Sequence, residues 1–207
     1  MSPVPAALAF TFAAFLLTIT PGLDTALVLR TAASAGPRAA ARTAAGILLG
    51  LFVWGIVTAV GIGALLKASL VAYRILQGAG ALYLLWLGAT MLLGRGARSV
   101  EPEAPADPGR LFARGLLTNL LNPKVGLFYA TFLPQFIPPG ANVTWTSIAY
   151  TTIHALEGVV WFAALILATR PLAAWLRRET VKRTLDRATG AVFIAAGARL
   201  AFDRSRP

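Results

Sequence analysis

The sequence predicts an all-α, polytopic membrane protein. It reads as six transmembrane helices in two inverted three-helix repeats, with the first and fourth helices broken. Three observations predict this. Apolar residues make up 57% of the 207 residues and charged residues only 13%, against about 25% charged in an ordinary soluble domain. The charges are absent from long stretches, and the basic residues cluster in alternate connections. Six spans of about 20 residues use about 120 residues, which this composition supplies. A soluble fold of this length cannot keep so much apolar surface from water.

The first span is expected near 6–29, where Asp24 is the only charge before Arg30. No Lys or Arg precedes Arg30, so the segment lacks the basic start of a cleaved leader and reads as a retained helix. The second span, near 43–66, has no charge. Gly46, Gly50, Gly55, Ala59 and Gly63 along it let neighbouring helices approach closely, within the protomer or in a homodimer. The third span lies near 72–93 and the fourth near 112–137. The fifth, near 144–169, carries His154 and Glu157. The sixth, near 185–203, is the weakest, because its apolar run is short and Arg199 must snorkel to an interface. Trp86, Trp145 and Trp175 fit aromatic anchoring near span ends. Trp54 and Trp161 lie deeper, where they could line a cavity.

Connections 30–42, 94–114 and 170–187 hold thirteen of the 19 basic residues. The positive-inside rule puts these connections in the cytoplasm and both termini outside it. The net charge of +11 therefore sets orientation and is no nucleic-acid footprint. Glu101-Pro102-Glu103-Ala104-Pro105-Ala106-Asp107-Pro108 argues against a helix there. It reads as a cytoplasmic linker, 96–110, between repeat one (1–95) and repeat two (111–207) of a single membrane domain.

Three spans per half means opposite insertion of the halves, an arrangement of many secondary transporters. A shift of 102 residues superposes Pro21 on Pro123. The first reads Thr18-Ile19-Thr20-Pro21-Gly22-Leu23-Asp24-Thr25 and the second Thr118-Asn119-Leu120-Leu121-Asn122-Pro123-Lys124. Proline lacks an N–H and clashes with the preceding turn, so it frees backbone carbonyls, and Gly22 eases unwinding. Within a bilayer those groups need protein or a water-filled cavity. A charge at mid-membrane costs about 2.5–3.5 kcal/mol or more; Asp24, six residues before Arg30, is expected in the cytoplasmic half, where it and Lys124 would face one cavity open to the cytoplasm. The expected site is therefore a polar pocket between the halves, with Asp24, Lys124, Asn119 and Asn122 as its polar groups. Asp24 would meet an ammonium or a proton and Lys124 a carboxylate, so that the partner is a small zwitterion. A structural ion pair between the two is the plainer alternative. His154 and Glu157, three residues apart, share a helix face and read as a bundle contact or as a relay and substrate contact.

Cysteine is absent, which excludes disulfides, thiolate metal sites and cysteine nucleophiles. One His and one Glu are too few for zinc, and no Gly-x-Ser-x-Gly elbow is present, so neither metal, cofactor nor enzymatic chemistry is expected. The alternatives are an exporter of another small solute or cation, or a membrane partner protein that does not transport.

The motifs resemble one family. Thr20-Pro21-Gly22-Leu23-Asp24, Tyr83-Leu84-Leu85-Trp86-Leu87-Gly88, the run Phe112 to Lys124, and Phe132-Leu133-Pro134-Gln135-Phe136 are similar to the lysine exporter superfamily, especially its homoserine/threonine-exporter branch. The family usually has a second proline where this chain has Leu23. The resemblance implies an inner-membrane exporter of amino acids or related small metabolites, driven by the proton gradient. It carries over Pro21, Gly22, Asp24, Asn119, Asn122, Pro123 and Lys124 as motif positions.

Overall fold

The computed structural model describes residues 2–68, 70–93, 108–168, 175 and 178–202, and among these every regular element is helical. Most of the expected linker lies outside the described residues; its last three positions open a helix. The expected first span is two helices, α1 (Pro3–Ile19) and α2 (Leu23–Ala35), with the break at Thr20–Gly22. Helix α2 runs past Arg30 and stops at Gly36, whose φ of 86° is the left-handed conformation that favours glycine. Pro37 then opens α3 (Pro37–Ala68), and α4 (Leu70–Leu92) follows. The expected fourth span is α5 (Pro108–Leu120), a break, α6 (Pro123–Leu127), a π-helical turn (Phe128–Phe132) and a 3-10 turn (Leu133–Phe136). Last come α7 (Val143–Leu167) and α8 (Glu179–Phe202).

Helices α3, over Pro37–Gly61, and α7 are each long and apolar enough to cross a membrane; α1 and α2, bent by 48°, pass that test together. Large apolar side chains stand exposed on their outer faces, among them Leu8, Phe12, Ile56, Val60, Leu156 and Val160. Such a surface suits hydrocarbon and not water.

Helix packing rests on missing side chains. Helix α5 lies against α3 so closely that a Cβ on Gly46 would sit 2.1 Å from the Phe112 carbonyl, and one on Gly115 2.1 Å from the Thr43 carbonyl. Helix α4 meets α8 reciprocally: a Cβ on Gly88 would lie 2.6 Å from the Gly190 carbonyl, and one on Gly190 2.8 Å from that of Gly88. Those two glycines are 102 residues apart, as are Pro21 and Pro123. Helices α3 and α7 meet in the same reciprocal way, Gly55 on Thr151 and Gly158 on Leu48, and both pairs are related by a shift of 103.

Two apolar clusters fill the interior. The larger is aromatic. Phe10 of α1 stacks on Tyr150 of α7 with centroids 4.6 Å apart, and Phe128, Phe132 and Phe136 follow one another at 5.0 and 4.9 Å. Each such pair adds about 0.5–1.5 kcal/mol beyond area burial. The smaller is mainly aliphatic: Val28, Ala40, Ala44, Ile47, Phe162 and Leu165. The candidate site takes wall residues from both.

Candidate functional site

The site begins with two missing hydrogen bonds. In an unbroken helix the carbonyl of residue i accepts from the N–H of residue i+4. Pro21 has no N–H, so the Leu17 carbonyl loses its donor; Pro123 likewise deprives the Asn119 carbonyl. Both are served from elsewhere. Lys124 Nζ donates to the Leu17 carbonyl at 3.2 Å and to the Thr20 carbonyl at 3.1 Å. The Asn119 carbonyl accepts from Asn122 N at 3.1 Å and from Trp54 Nε1 at 3.4 Å. Each orphaned carbonyl therefore receives a side chain from another helix.

Local chemistry sets the remaining geometry. Asn122 caps α6, its Oδ1 accepting from Lys124 N at 3.1 Å, and Pro123 sits at the first helical position, where its missing N–H does least harm. The α1 end is tied to α8, since Thr20 and Thr189 share a hydroxyl–hydroxyl hydrogen bond. Gly22 is extended, at φ −152°. A Cβ there would be 3.8 Å from Lys124 Nζ, an ordinary contact.

Asp24 occupies the first turn of α2, where a carboxylate suits the helix dipole. Asn119 Nδ2 donates to Asp24 Oδ2 at 2.8 Å, while Oδ1 is buried with no hydrogen-bond partner. Asn119 is fully buried and touches Gly50, which has no side chain to push it away. The two breaks thus brace each other, with Asn119 on Asp24 and Lys124 on the α1 carbonyls. The charges of Asp24 and Lys124 act on each other, but the hydrogen bonds between the breaks run through Asn119 and the α1 carbonyls.

A cavity of about 50 Å³ lies between these groups. Its polar lining is Thr18, Thr20, Asp24, Thr25, Asn122, Lys124 and His154, and its apolar wall includes Leu17, Ile47, Leu51, Val125 and Phe162. Thr18 Oγ1 is also buried without a partner.

Of the expected site residues, the structure brings Asp24, Lys124, Asn119, Asn122, Pro21, Gly22 and Pro123 together. His154 joins the cavity wall and pairs with the Tyr129 hydroxyl through Nδ1 at 3.1 Å. Glu157, on the same helix, does not line the cavity, and both its oxygens are buried without a partner. Trp54 and Trp161 do not line it either; Trp54 serves the second break, and Trp161 Nε1 donates to Thr25 Oγ1 at 3.4 Å.

Some contributors lie outside the motif reading. Trp54 holds the Asn119 carbonyl, and its ring fits only because Gly126 has no side chain, a Cβ there lying 2.7 Å from the indole. Asp186 of α8 is buried one turn before Thr189, and its charge acts on Lys124. Proline arithmetic finds the orphaned carbonyls; nothing in the sequence names their donors.

The LysE type translocator family profile matches residues 15–204. A homoserine/homoserine lactone efflux protein of Salmonella typhi is 35% identical over 199 residues, covering 95% of this chain and 96% of that protein. A leucine efflux protein of Enterobacter sp. (strain 638) is 32% identical over 193 residues, 91% of each chain. A threonine efflux protein of Salmonella typhi is 31% identical over 197 residues, 90% of this chain and 92% of that one. No solved structure matches. These relatives and the apolar helices make the chain a membrane transporter and not an enzyme. With the profile running from within α1 to residue 204, the chain belongs to the LysE type translocator family.

Proposed function

We propose that the chain exports amino acids or related small amines across the cytoplasmic membrane by alternating access, driven by the proton gradient. The observation that carries the reading is Asp24 Oδ1, a buried carboxylate oxygen without a partner, beside a cavity at the crossing of two broken helices. An unpaired buried acceptor of this kind calls for a donor, and a primary ammonium supplies charge and N–H together. The named activities of the relatives, efflux of homoserine and its lactone, leucine and threonine, share that amine. At about 50 Å³ the cavity has room for an ammonium group but not for a whole amino acid, so loading requires the two broken helices to part.

The reciprocal contacts Gly88 with Gly190, and Gly55–Thr151 with Leu48–Gly158, support six spans in two inverted repeats, which would rock about the site. The positive-inside rule favours both termini outside the cytoplasm.

Cells loaded with homoserine, threonine or leucine test the function. The wild-type chain is expected to speed efflux and rescue growth for at least one of the three, with Asp24→Asn losing the effect. Rescue by none, or full rescue by Asp24→Asn, would overturn the proposal.

A further inference from the structure

Lys124 presents a paradox. A lysine in the wall of an amino-acid site invites the role of carboxylate ligand, yet its ammonium is already engaged. Nζ donates to the carbonyls of Leu17 and Thr20 at 3.2 and 3.1 Å, and both residues are buried, at 4% and 2% exposure. The Leu17 carbonyl is the one that Pro21 leaves without a donor. Moving the ammonium to a ligand would strand two buried carbonyls, each at the cost of an unmade hydrogen bond. Of the three ammonium N–H groups only one remains.

We propose that Lys124 is a positioning residue: its ammonium replaces the helical N–H that Pro21 withholds, strapping the end of α1 to the second repeat. The proposal rests on the reading of the cavity as the substrate site, and it specifies that site. Recognition falls on the ligand's amine, through Asp24; among the described residues lining the cavity the one cation is Lys124, and two of its three N–H groups are committed to α1. The accepted class is therefore small primary amines with the carboxyl free or masked as an ester, lactone or amide. N-acylated compounds, which offer no ammonium, are excluded.

Two features fit this assignment. The strap crosses between repeats, as does the Asn119–Asp24 bond, so the two breaks are held as one unit. Gly22 leaves the approach to the carbonyls open, with any Cβ there in contact with Nζ and Lys124 Cδ at 3.8 and 4.0 Å. A bulkier residue at 22 would compete for the space the strap uses.

The test has two arms. In the first, inside-out vesicles take up labelled threonine against unlabelled threonine, threonine methyl ester or N-acetylthreonine. On the wild type the ester is expected to compete within about threefold of threonine, and the N-acetyl compound not at all. Lys124→Met should lower uptake while leaving the ester-to-acid ratio unchanged. An ester at least about tenfold weaker than threonine on the wild type, with the difference abolished in Lys124→Met, would make Lys124 a carboxylate ligand and overturn the proposal.

The second arm measures melting temperature in detergent and needs no transport. Lys124→Met is expected to melt lower than the wild type. Pro21→Ala, which returns an N–H to the Leu17 carbonyl, should restore most of the loss in the double variant Pro21→Ala/Lys124→Met. Absence of any restoration would overturn the strap, and the double variant keeps the test decisive if Lys124→Met alone does not fold. Should the wild type take up none of threonine, homoserine or leucine, the transport reading fails, and the second arm still decides the strap.

Discussion

Gly50→Ala perturbs the site from a distance, and its effect can be worked from the structure. A methyl on Gly50 would lie 2.4 Å from Asn119 Oδ1 and 2.9 Å from Asn119 Cβ. Ordinary contact begins near 3.4 Å, so the Asn119 head must move by about 1 Å. Its Nδ2 bond to Asp24 Oδ2 is 2.8 Å long, and such a shift takes it beyond useful hydrogen-bond length. Asp24 Oδ1 already lacks a well-aligned partner, so the carboxylate would be left with only the Asn122 side chain beside it. A hydrogen bond to a charged group contributes about 1.5–3 kcal/mol, equivalent to roughly 10- to 150-fold in an equilibrium constant. The expected result is a 10-fold or greater loss of amino-acid efflux from loaded cells, at wild-type protein levels. Asn119→Ala should lose a similar amount, and the double variant Gly50→Ala/Asn119→Ala little more than either, because both act on one bond. Full efflux in Gly50→Ala, or strictly additive losses, would refute the chain of contact from α3 through Asn119 to Asp24.

Further predictions follow from the same geometry. Gly46→Ala and Gly115→Ala each put a methyl 2.1 Å from a backbone carbonyl across the α3–α5 contact, and each should lower stability by about 1–3 kcal/mol, read as a lower melting temperature in detergent. Trp54→Phe keeps the ring beside Gly126 but removes the N–H that serves the Asn119 carbonyl; it should cost about 1 kcal/mol, less than Trp54→Ala. Tyr150→Phe keeps the stack on Phe10 and loses only the bond from Tyr150 Oη to the Phe136 carbonyl, 3.0 Å long, at a similar cost. Because the chain has no cysteine, single cysteines report topology directly. Ser34→Cys should react with an impermeant maleimide only from the cytoplasmic side, and Ser2→Cys only from the other.

Much of this was legible in the residues. Charge-free stretches and the two Pro-centred motifs located the helices and both breaks, and counting back four residues from each proline names the orphaned carbonyls. Helix ends were less legible. Helix α8 begins at Glu179, not near 185, because the apolar run marks the buried part of a helix and says nothing of the charged turns preceding it. Likewise α2 continues beyond Arg30 to Ala35, since Gly36-Pro37 stops it and the first arginine does not. His154 and Glu157 share a helix face by spacing. Yet only His154 reaches the cavity, because neighbouring helices decide which part of the face looks inward. The Trp54 and Lys124 bonds join residues 65 and 107 positions apart; no local pattern encodes such pairings.

The central claim is that Asp24, at the first break, holds the amine of the transported molecule. Equilibrium binding of labelled threonine, homoserine and leucine to the purified chain, compared with Asp24→Asn, tests it most directly. Exchanging a charge-assisted hydrogen bond for a neutral one costs about 1–2 kcal/mol. Saturable binding of at least one amino acid to the wild type, weakened roughly 5- to 30-fold in Asp24→Asn, is therefore expected. Equal affinity in the two proteins would contradict it.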